Sequence, residues 1–293
     1  GYIRRFCTSD QSENNFIYYV LGKKERHTLA DYVTGVEETS TNKIVLYSSA
    51  QTGKTTELKQ LCWELQQSGL YLPVSFEVRT NTKLKRDDLP ESQYVDGREV
   101  VLVIDALDEV NGQKYEDLLE EIGGYAYEHP EMKMVLSCRS NFRRERQLEL
   151  FTELFLEELS IDDARDYAAK REVNSDRFMR SVFANQLEDF IKNPFFLSVL
   201  IDAYKGKGKQ LPKTKADIYK LFIKSSYDKE VKEKNVSLSA QHSFEESVRL
   251  LERVALGLSL MNAQSLNKEE LRICLQNDDN NVEECLRYDL IRD

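Results

Sequence analysis

The octapeptide at residues 48–55, Ser-Ser-Ala-Gln-Thr-Gly-Lys-Thr, constrains the fold of this 293-residue chain more than any other segment. It follows a short apolar run, Ile44–Tyr47, and leads into Thr55–Gln67, where leucines recur at helical spacing. This pattern predicts a strand that passes through a tight loop directly into a helix. Such a unit is the repeating element of α/β folds, in which further strands and helices cover it.

Strand-like and helix-like segments alternate from this point to about residue 156. Val100–Ile104 is a fully apolar, β-branched run, which is typical of a strand buried on both faces of a parallel sheet. A helical segment, Gln113–Glu128, follows it and ends near Pro130. Residues 79–99 are polar and predict a surface connection. The alternation predicts an α/β fold with a doubly wound parallel sheet. The other predicted strands are Leu72–Val78, Met132–Leu136 and Leu154–Leu156.

Segments with a strand-like pattern end near Leu159, and the pattern of the remaining residues predicts helices only. Ser160 and Asp163 stand three residues apart at the start of this part, which is the signature of a capping box. Ahead of the sheet, a short helix is expected at 29–33, and the remainder of 1–42 is expected to be loop. The later helices are expected at 161–171, 175–191, 194–204, 213–231, from Phe244 through Leu258, 267–276 and 281–288.

The composition excludes several classes of protein. With 13 Phe, 15 Tyr and 41% hydrophobic residues the chain can bury a sizeable core, which argues against disorder. The net charge of −10 argues against a general electrostatic grip on nucleic acid or anionic lipid. No apolar run is long enough for a membrane segment. The five cysteines form no CxxC pair, so a reducing, cytoplasmic location is expected.

The octapeptide supplies the groups that bind phosphate. In a loop between a strand and a helix, main-chain N–H groups point at the phosphates and the helix dipole adds partial positive charge. Gly53 permits close approach of the backbone, Lys54 would bridge the β- and γ-phosphates, and the Thr55 hydroxyl would ligate Mg²⁺. Ser48 stands where the motif has its first glycine, which puts the affinity of the loop in question. The predicted nucleotide-binding residues here are Ser48, Ser49, Ala50, Gln51, Thr52, Gly53, Lys54, Thr55 and Thr56.

Three acids follow the apolar run at 100–104, and the first of them, Asp105, comes 51 residues after Lys54. An acid at the end of a buried strand presents its carboxylate to the Mg²⁺ water shell, so Asp105 is the predicted metal ligand together with Thr55. Asp108 and Glu109 are predicted catalytic acids that polarise a water for attack on the γ-phosphate. Two alternatives to a nucleotide site are a chance Gly-Lys-Thr tripeptide and an exposed acidic turn after a strand. Because both motifs are present, these alternatives are the weaker ones.

A third motif is the segment Met134–Arg139, a predicted strand that ends in polar residues and an arginine. In sheets of this class that strand lies between the two strands that carry the other motifs, so its end faces the γ-phosphate. Arg139 is therefore a further predicted catalytic residue, which would respond to the nucleotide state through charge-assisted contacts. A solvent-exposed arginine without such a role is the alternative.

These motifs and several later ones resemble NACHT domains, which belong to the STAND class of signal-transduction P-loop NTPases within the AAA-like ATPases. The segment Asp105-Ala-Leu-Asp-Glu109 resembles the family's Walker B motif, and Asn193-Pro-Phe-Phe-Leu197 looks like its NPLFL segment. The resemblance covers roughly residues 28–293. Its other matching segments are Leu159-Ser-Ile-Asp-Asp-Ala164 with Tyr167, Leu211-Pro212 with Ile218-Tyr219 and Phe222, Leu251-Glu-Arg-Val-Ala255, and Asp289-Leu-Ile291.

The resemblance implies a domain plan and a regulatory activity. Residues 43–158 would form a NACHT nucleotide-binding domain, 159–234 an all-α helical domain and 235–293 an incomplete winged-helix domain, after an N-terminal segment at 1–42. Pro194 would pack on the adenine of ATP or ADP, bound with Mg²⁺. Such a module is a slow ATPase whose nucleotide state controls self-oligomerisation through the NACHT core. Sensor and effector domains would lie outside this fragment, in a protein of innate immune or antiphage defence.

Two other interpretations stay open at this point. A DNA-handling AAA-type ATPase of the origin-loader kind also combines an ATPase with a winged helix. The net charge of −10 speaks against it because a DNA-bound winged helix needs a basic face, so no nucleic-acid partner is expected for this fragment. A hydrolysis-dead nucleotide-binding scaffold is the second alternative, suggested by Ser48, although intact Lys54, Thr55 and Asp105 argue against it.

Overall fold

The computed structural model describes residues 2–9, 26–35, 41–49, 52–78, 88–110, 113–142, 148–206, 211–233, 244–261, 266 and 268–276. Seven strands are present in these residues and form one sheet. They are β1 (Cys7–Thr8), β2 (Lys43–Ser48), β3 (Tyr71–Glu77), β4 (Tyr94–Val95), β5 (Arg98–Asp105), β6 (Lys133–Arg139) and β7 (Thr152–Leu156). Their order is β1-β7-β2-β6-β5-β3, and β4 pairs with β5 outside that path.

The sheet is mostly parallel, as the alternation of strands and helices predicts. β2 pairs in parallel with β6 and β7, and β5 pairs in parallel with β6 and β3. Only the two-residue strands β1 and β4 are antiparallel to their neighbours among the described strands. Each strand expected between residues 44 and 156 is present with ends shifted by at most three residues, so the α/β fold class is confirmed.

Helices cover both faces of the sheet. Side chains of successive strand residues point to opposite faces, so apolar strand residues give both faces a surface on which helices pack. On one face Val45 and Leu102 pack in a cluster with α3 (Gln113–Glu128). On the other face Ile44 and Val103 pack with α1 (Leu29–Thr34) and α2 (Lys54–Ser68). The central strands are therefore apolar on both faces, which explains their continuous apolar sequences and confirms the doubly wound arrangement.

Two short elements of the sheet were expected to be loop. β1 pairs with β7, and the main chain of Cys7 donates to His27 at 2.9 Å. β4 and β5 form a hairpin whose turn residues, Asp96 and Gly97, both have positive φ angles of 51° and 76°. An Asp-Gly pair with two positive φ angles is a favoured hairpin turn, so this part of the 79–99 connection carried a local signal.

Helices follow the sheet: α4 (Ile161–Lys170), α5 (Ser175–Ala184), α6 (Glu188–Ile191), α7 (Pro194–Lys205), α8 (Lys215–Glu233), α9 (Phe244–Met261) and α10 (Lys268–Cys274). The capping box predicted for α4 is present, with Ser160 and Asp163 bonded reciprocally. The single helix expected at 175–191 is wrong. The chain breaks into α5 and α6, and Gln186 between them has a φ of 56°, outside helical conformation.

The chain divides into two compact units. The first comprises residues 1–175 and 188–197 and contains the sheet, and the second comprises 176–187 and 198–293. In the second unit α9 and α10 pack through Leu250, Val254, Leu271 and Leu275. The helix expected at 281–288 lies outside the described residues, and the winged-helix assignment stays a prediction. Among the described residues no helix is long and apolar enough to span a membrane.

Candidate nucleotide-binding site

Three adjacent parallel strands bring their carboxyl ends to one edge of the sheet. β2 ends at Ser48, β5 at Asp105 and β6 at Arg139, and β6 lies between the other two. Ser48 is in register with Arg139, and Ile104, directly before Asp105, is in register with Leu136. The predicted place of the Arg139 strand, between the two strands that carry the other motifs, is confirmed.

The segment that joins β2 to α2 ends at Gly53. Gly53 is the N-cap of α2 and has a φ of 93°, a left-handed conformation that glycine adopts without steric cost. The main-chain N–H groups of Lys54, Thr55 and Thr56 occupy the first turn, where no helical carbonyl is available to them. These are the donors that a phosphate group accepts at a helix N-terminus. Ala50 and Gln51 lie outside the described residues.

Ser48, the departure from the usual motif, closes the loop through its side chain. The Thr52 hydroxyl donates to Ser48 Oγ at 2.6 Å, and it lies 2.8 Å from the main-chain oxygen of Ser49. Ser48 is buried, with 5% of its surface exposed. A hydrogen bond across the mouth of the loop therefore occupies the hydroxyl that replaces the first glycine.

Lys54 extends back over the loop toward the ends of the neighbouring strands. Its ammonium donates to the main-chain oxygen of Ser48 at 3.5 Å. Burial lowers the pKa of Lys54, whereas the negative charges of Asp108 and Asp105 raise it and the positive charge of Arg139 lowers it. The predicted phosphate-binding lysine, two of the predicted acids and the predicted arginine are thus close enough to interact electrostatically.

Asp105 is held by a buried serine on the neighbouring strand. The Ser137 hydroxyl donates to Asp105 Oδ1, and its oxygen accepts the main-chain N–H of Ala106 at 2.9 Å. Ala106 has a φ of 67°, an unusual conformation for a residue with a side chain. Ser137 therefore fixes both the carboxylate and the turn that follows it. The sequence signal was a polar residue within an otherwise apolar strand, although its partner was not foreseeable.

Asp108 and Glu109 lie in the short 3-10 turn Leu107–Glu109 that follows β5. Asp108 is buried and forms an ion pair with Arg139, with 2.7 Å between Arg139 Nε and Asp108 Oδ2. The main-chain N–H of Arg139 also donates to Asp108 Oδ1 at 3.0 Å. The structure thus joins two of the predicted catalytic residues directly.

The donor groups at this edge fit a magnesium ion that is shared with phosphate. Mg²⁺ takes oxygen ligands and keeps several waters, so one or two protein groups and a phosphate suffice. Asp105 supplies a carboxylate at the end of β5, and Thr55 supplies an exposed hydroxyl in the first turn of α2. In the described part of the chain, no cluster of three or more His, Cys, Asp or Glu side chains could hold a metal alone.

Sequence reasoning missed the residues that reach the loop from the N-terminal part of the chain. The Arg5 guanidinium donates to the main-chain oxygen of Thr52 at 2.7 Å. The Tyr2 hydroxyl donates to a carboxylate oxygen of Glu57, in the first turn of α2, also at 2.7 Å. No local sequence pattern predicts these contacts, because Arg5 and Thr52 are 47 residues apart and Tyr2 and Glu57 are 55 residues apart.

Pro194 begins α7, as the sequence predicts for a helix starting there. The side-chain oxygen of Asn193 accepts the main-chain N–H of Phe195 at 2.9 Å, which caps the helix. The assignment of Pro194 to an adenine-binding position stays a prediction.

Comparisons with known proteins identify no family. No family model matches the chain, and no curated protein matches it. Among solved structures it is similar to the RuvB Holliday junction branch migration motor of Thermotoga maritima, at 14% identity and a TM-score of 0.37 over 83% of this chain and 76% of that one. It is also similar to Cdc6p from Pyrobaculum aerophilum, at 13% identity and a TM-score of 0.36 over 83% and 79%. Likenesses this weak leave the function to be inferred from the chain's own residues.

Proposed function

We propose that this chain binds ATP and ADP with Mg²⁺ at the carboxyl edge of its parallel sheet and hydrolyses ATP slowly. The observation that carries the proposal is the convergence of Lys54, Asp105, Asp108 and Arg139 beside a loop that ends in a glycine N-cap. A lysine, a strand-end carboxylate and an arginine around such a loop are the groups that phosphoryl transfer requires.

Each residue has a distinct part in this chemistry. Lys54 and the N–H groups of the loop bind the β- and γ-phosphates. Thr55 and Asp105 would hold Mg²⁺, which would neutralise negative charge on the phosphates. Of the two predicted catalytic acids, we assign the polarisation of the attacking water to Glu109 and the orientation of Arg139 to Asp108. Arg139, paired with Asp108 beside Lys54, offers a positive charge to the γ-phosphate.

The finer role that we propose is the nucleotide switch of a STAND ATPase. Its support is the ordered series of NACHT-like motifs, from the loop through Asp105 and Pro194 to Asp289. ADP would hold a resting form, with its adenine against Pro194, and exchange for ATP would permit self-oligomerisation. In this proposal the protein acts in the cytoplasm in innate immune or antiphage defence, together with sensor and effector domains that lie outside these residues.

Substitution of Lys54 tests the binding site. A ligand at about 1,000 times its dissociation constant stabilises a fold by roughly 4 kcal/mol, and Lys54→Ala should lose most of that increment. The matched control is Lys59→Ala, which removes an exposed lysine from the same helix. Thermal melting with and without Mg²⁺ and ATP gives the comparison. A full ATP-induced shift in Lys54→Ala would show that the nucleotide binds elsewhere or by other means.

Two further measurements test the base and the switch. Nucleotide extracted from the purified protein should be ADP or ATP, and recovery of guanine nucleotide alone would contradict the adenine assignment. Light scattering should find larger assemblies of the full protein with ATP than with ADP once its activating ligand is present. Filter binding to duplex DNA at about 150 mM salt separates the DNA-handling alternative, because binding by a few phosphate contacts weakens steeply with salt whereas specific binding persists.

A further inference from the structure

A buried arginine in the N-terminal part of the chain contacts the main chain of the loop. We define the strap as residues 2–8, which include Arg5 and β1. Arg5 is only 5% exposed, so its charge lies inside the protein. Its Nη1 donates to the main-chain oxygen of Thr52 at 2.7 Å, and its Nη2 donates to the main-chain oxygen of Glu157. One guanidinium thus joins the loop to the residue that follows β7.

The strap is fixed on both sides of Arg5, so the guanidinium is held in position. Before it, the Tyr2 hydroxyl donates to Glu57 at 2.7 Å. After it, the main chain of Phe6 accepts the N–H of Glu157 at 2.9 Å, and β1 pairs with β7. A side chain anchored in this way can hold a flexible partner in place, because little further entropy is lost when the bond forms.

The bond to Thr52 determines where the next N–H group points. The C=O of Thr52 and the N–H of Gly53 belong to one peptide plane, and in a trans peptide they point in opposite directions. The described residues contain no cis peptide. Because Arg5 holds the carbonyl on its own side, the N–H of Gly53 is directed to the other side of the loop.

The peptide between Thr52 and Gly53 needs such a restraint. Gly53 has a φ of 93°, and glycine populates positive and negative φ about equally. The plane of this peptide can therefore rotate at low cost unless another group holds it. A rotated plane would present a carbonyl oxygen, rather than an N–H group, to a bound phosphate.

We propose that Arg5 is a positioning residue for the phosphate loop, which holds the Thr52–Gly53 peptide with its N–H group directed toward the nucleotide. The proposal rests on nucleotide binding at this loop and adds the strap to the site. In loops of this kind the main-chain N–H groups cradle the α- and β-phosphates, which ADP and ATP share. Loss of Arg5 should therefore weaken ADP and ATP to the same extent.

The test compares Arg5→Ala and Arg5→Lys with Arg26→Ala as a matched control. Arg26 stacks on the Phe6 ring at 3.9 Å and pairs with Glu157 at 3.2 Å, so its loss loosens the same strap without touching the loop. Calorimetric titration of the intact chain with Mg²⁺-ADP and Mg²⁺-ATP measures affinity, and melting without nucleotide measures stability.

We expect Arg5→Ala to bind both nucleotides about tenfold more weakly or worse, because hydrogen bonds from charged donors are the strong ones and the freed peptide can turn its carbonyl toward the phosphate. Arg5→Lys keeps the charge but lacks the fork that spans two carbonyls, so its affinity should be intermediate. Arg26→Ala should melt at a lower temperature yet bind both nucleotides within about twofold of the parent.

Three results would overturn the inference. The inference is wrong if Arg5→Ala binds the two nucleotides as tightly as the parent. If Arg5→Ala fails to fold, the inference is wrong if Arg5→Lys binds them as tightly as the parent. Equal losses of affinity in Arg5→Ala and Arg26→Ala would mean that the strap acts only through stability. Failure of the parent itself to bind either nucleotide would remove the proposed function as well, which distinguishes that failure from one confined to Arg5.

Discussion

The Tyr2 hydroxyl donates a hydrogen bond of 2.7 Å to the buried carboxylate of Glu57, which lies one turn into α2 behind the phosphate loop. The pKa of Glu57 is raised from its usual 4.5 to about 6, because burial and the charge of Glu64 raise it by more than the bond from Tyr2 and the charge of Arg5 lower it. Burial likewise raises the pKa of Tyr2. An acid behind the loop therefore titrates near neutral pH.

We predict that Glu57 makes the protein less stable as the pH rises through about 6. The folded state holds the proton more tightly than the unfolded state, so the favourable contribution is complete below about pH 4.5 and is lost above the folded pKa. A shift from 4.5 to about 6 corresponds to about 2 kcal/mol. Glu57→Gln imitates the protonated form and should remove this dependence.

Denaturant unfolding of the parent and of Glu57→Gln between about pH 4 and pH 8 measures the effect as a difference between two curves, which cancels other titrating groups. Glu121→Gln is the control, since it makes the same change at an exposed position on α3 and Glu121 does not affect the pKa of Glu57. A difference in unfolding free energy that stays constant across this range, or that grows in the opposite direction, would contradict the assignment.

A second prediction concerns Ser137, which is fully buried and joins Asp105 to the N–H of Ala106. Ser137→Ala leaves a buried carboxylate oxygen and a buried N–H group without this partner, at a cost of about 1–3 kcal/mol. The freed carboxylate should also weaken Mg²⁺-dependent binding of ATP more than Mg²⁺-free binding. Unfolding curves and titrations with and without Mg²⁺ measure the two effects.

The control for Ser137→Ala is Ser75→Ala, which removes an exposed hydroxyl from β3 in the same sheet. It should leave stability within about 0.5 kcal/mol of the parent. Equal stability of Ser137→Ala and Ser75→Ala would show that the buried bond contributes little. If Ser137→Ala is destabilised but its ATP binding depends on Mg²⁺ as in the parent, then Ser137 contributes to stability and not to the metal site.

A third prediction reverses the expectation that Ser48 weakens the loop. Because Ser48 Oγ accepts the Thr52 hydroxyl at 2.6 Å, restoring the usual glycine removes a bond across the loop and frees the backbone. Ser48→Gly should therefore bind ADP about threefold to tenfold more weakly, as expected for the loss of one hydrogen bond. Ser49→Gly is the control, since it alters an exposed neighbour in the same way. Tighter binding by Ser48→Gly would contradict this interpretation.

The sequence predicts the sheet well because its strands are buried on both faces. A run of mostly β-branched residues such as Val100–Ile104 favours a central parallel strand, and the motifs at the ends of such strands then meet at one edge. The meeting of Lys54, Asp105 and Arg139 could be expected for this reason. The break at Gln186 could not, because residues 175–191 contain no glycine or proline that would mark it.

The strap lies beyond sequence reasoning for a different physical reason. Arg5 bonds to main-chain oxygens 47 and 152 residues away, and main-chain acceptors are present in every residue. An arginine in a polar stretch is therefore indistinguishable from a solvated one until the fold is known. The pairing of Asp108 with Arg139 is similar, since each motif was recognisable alone but their contact depends on the register of β5 and β6.

That contact changes what Asp108 is expected to do. Both of its carboxylate oxygens accept hydrogen bonds from Arg139, one from Nε at 2.7 Å and one from the main-chain N–H at 3.0 Å. The side chain of Asp108 is 4% exposed, whereas that of Arg139 is 29% exposed. Asp108 therefore orients an arginine whose side chain remains partly exposed, and the two residues should act as one unit in hydrolysis.

The last prediction is that substitutions of Asp108 and Arg139 are not additive. Asp108→Asn and Arg139→Ala should each lower single-turnover hydrolysis by about a hundredfold while ADP affinity changes little, and the double variant should be no slower than the slower single variant. Glu121→Gln, an exposed change on α3, is the control. If Asp108 instead polarised the attacking water independently of Arg139, adding Asp108→Asn to Arg139→Ala would multiply the two losses. Hydrolysis at the parent rate in both single variants would show that this edge of the sheet is not an ATPase site.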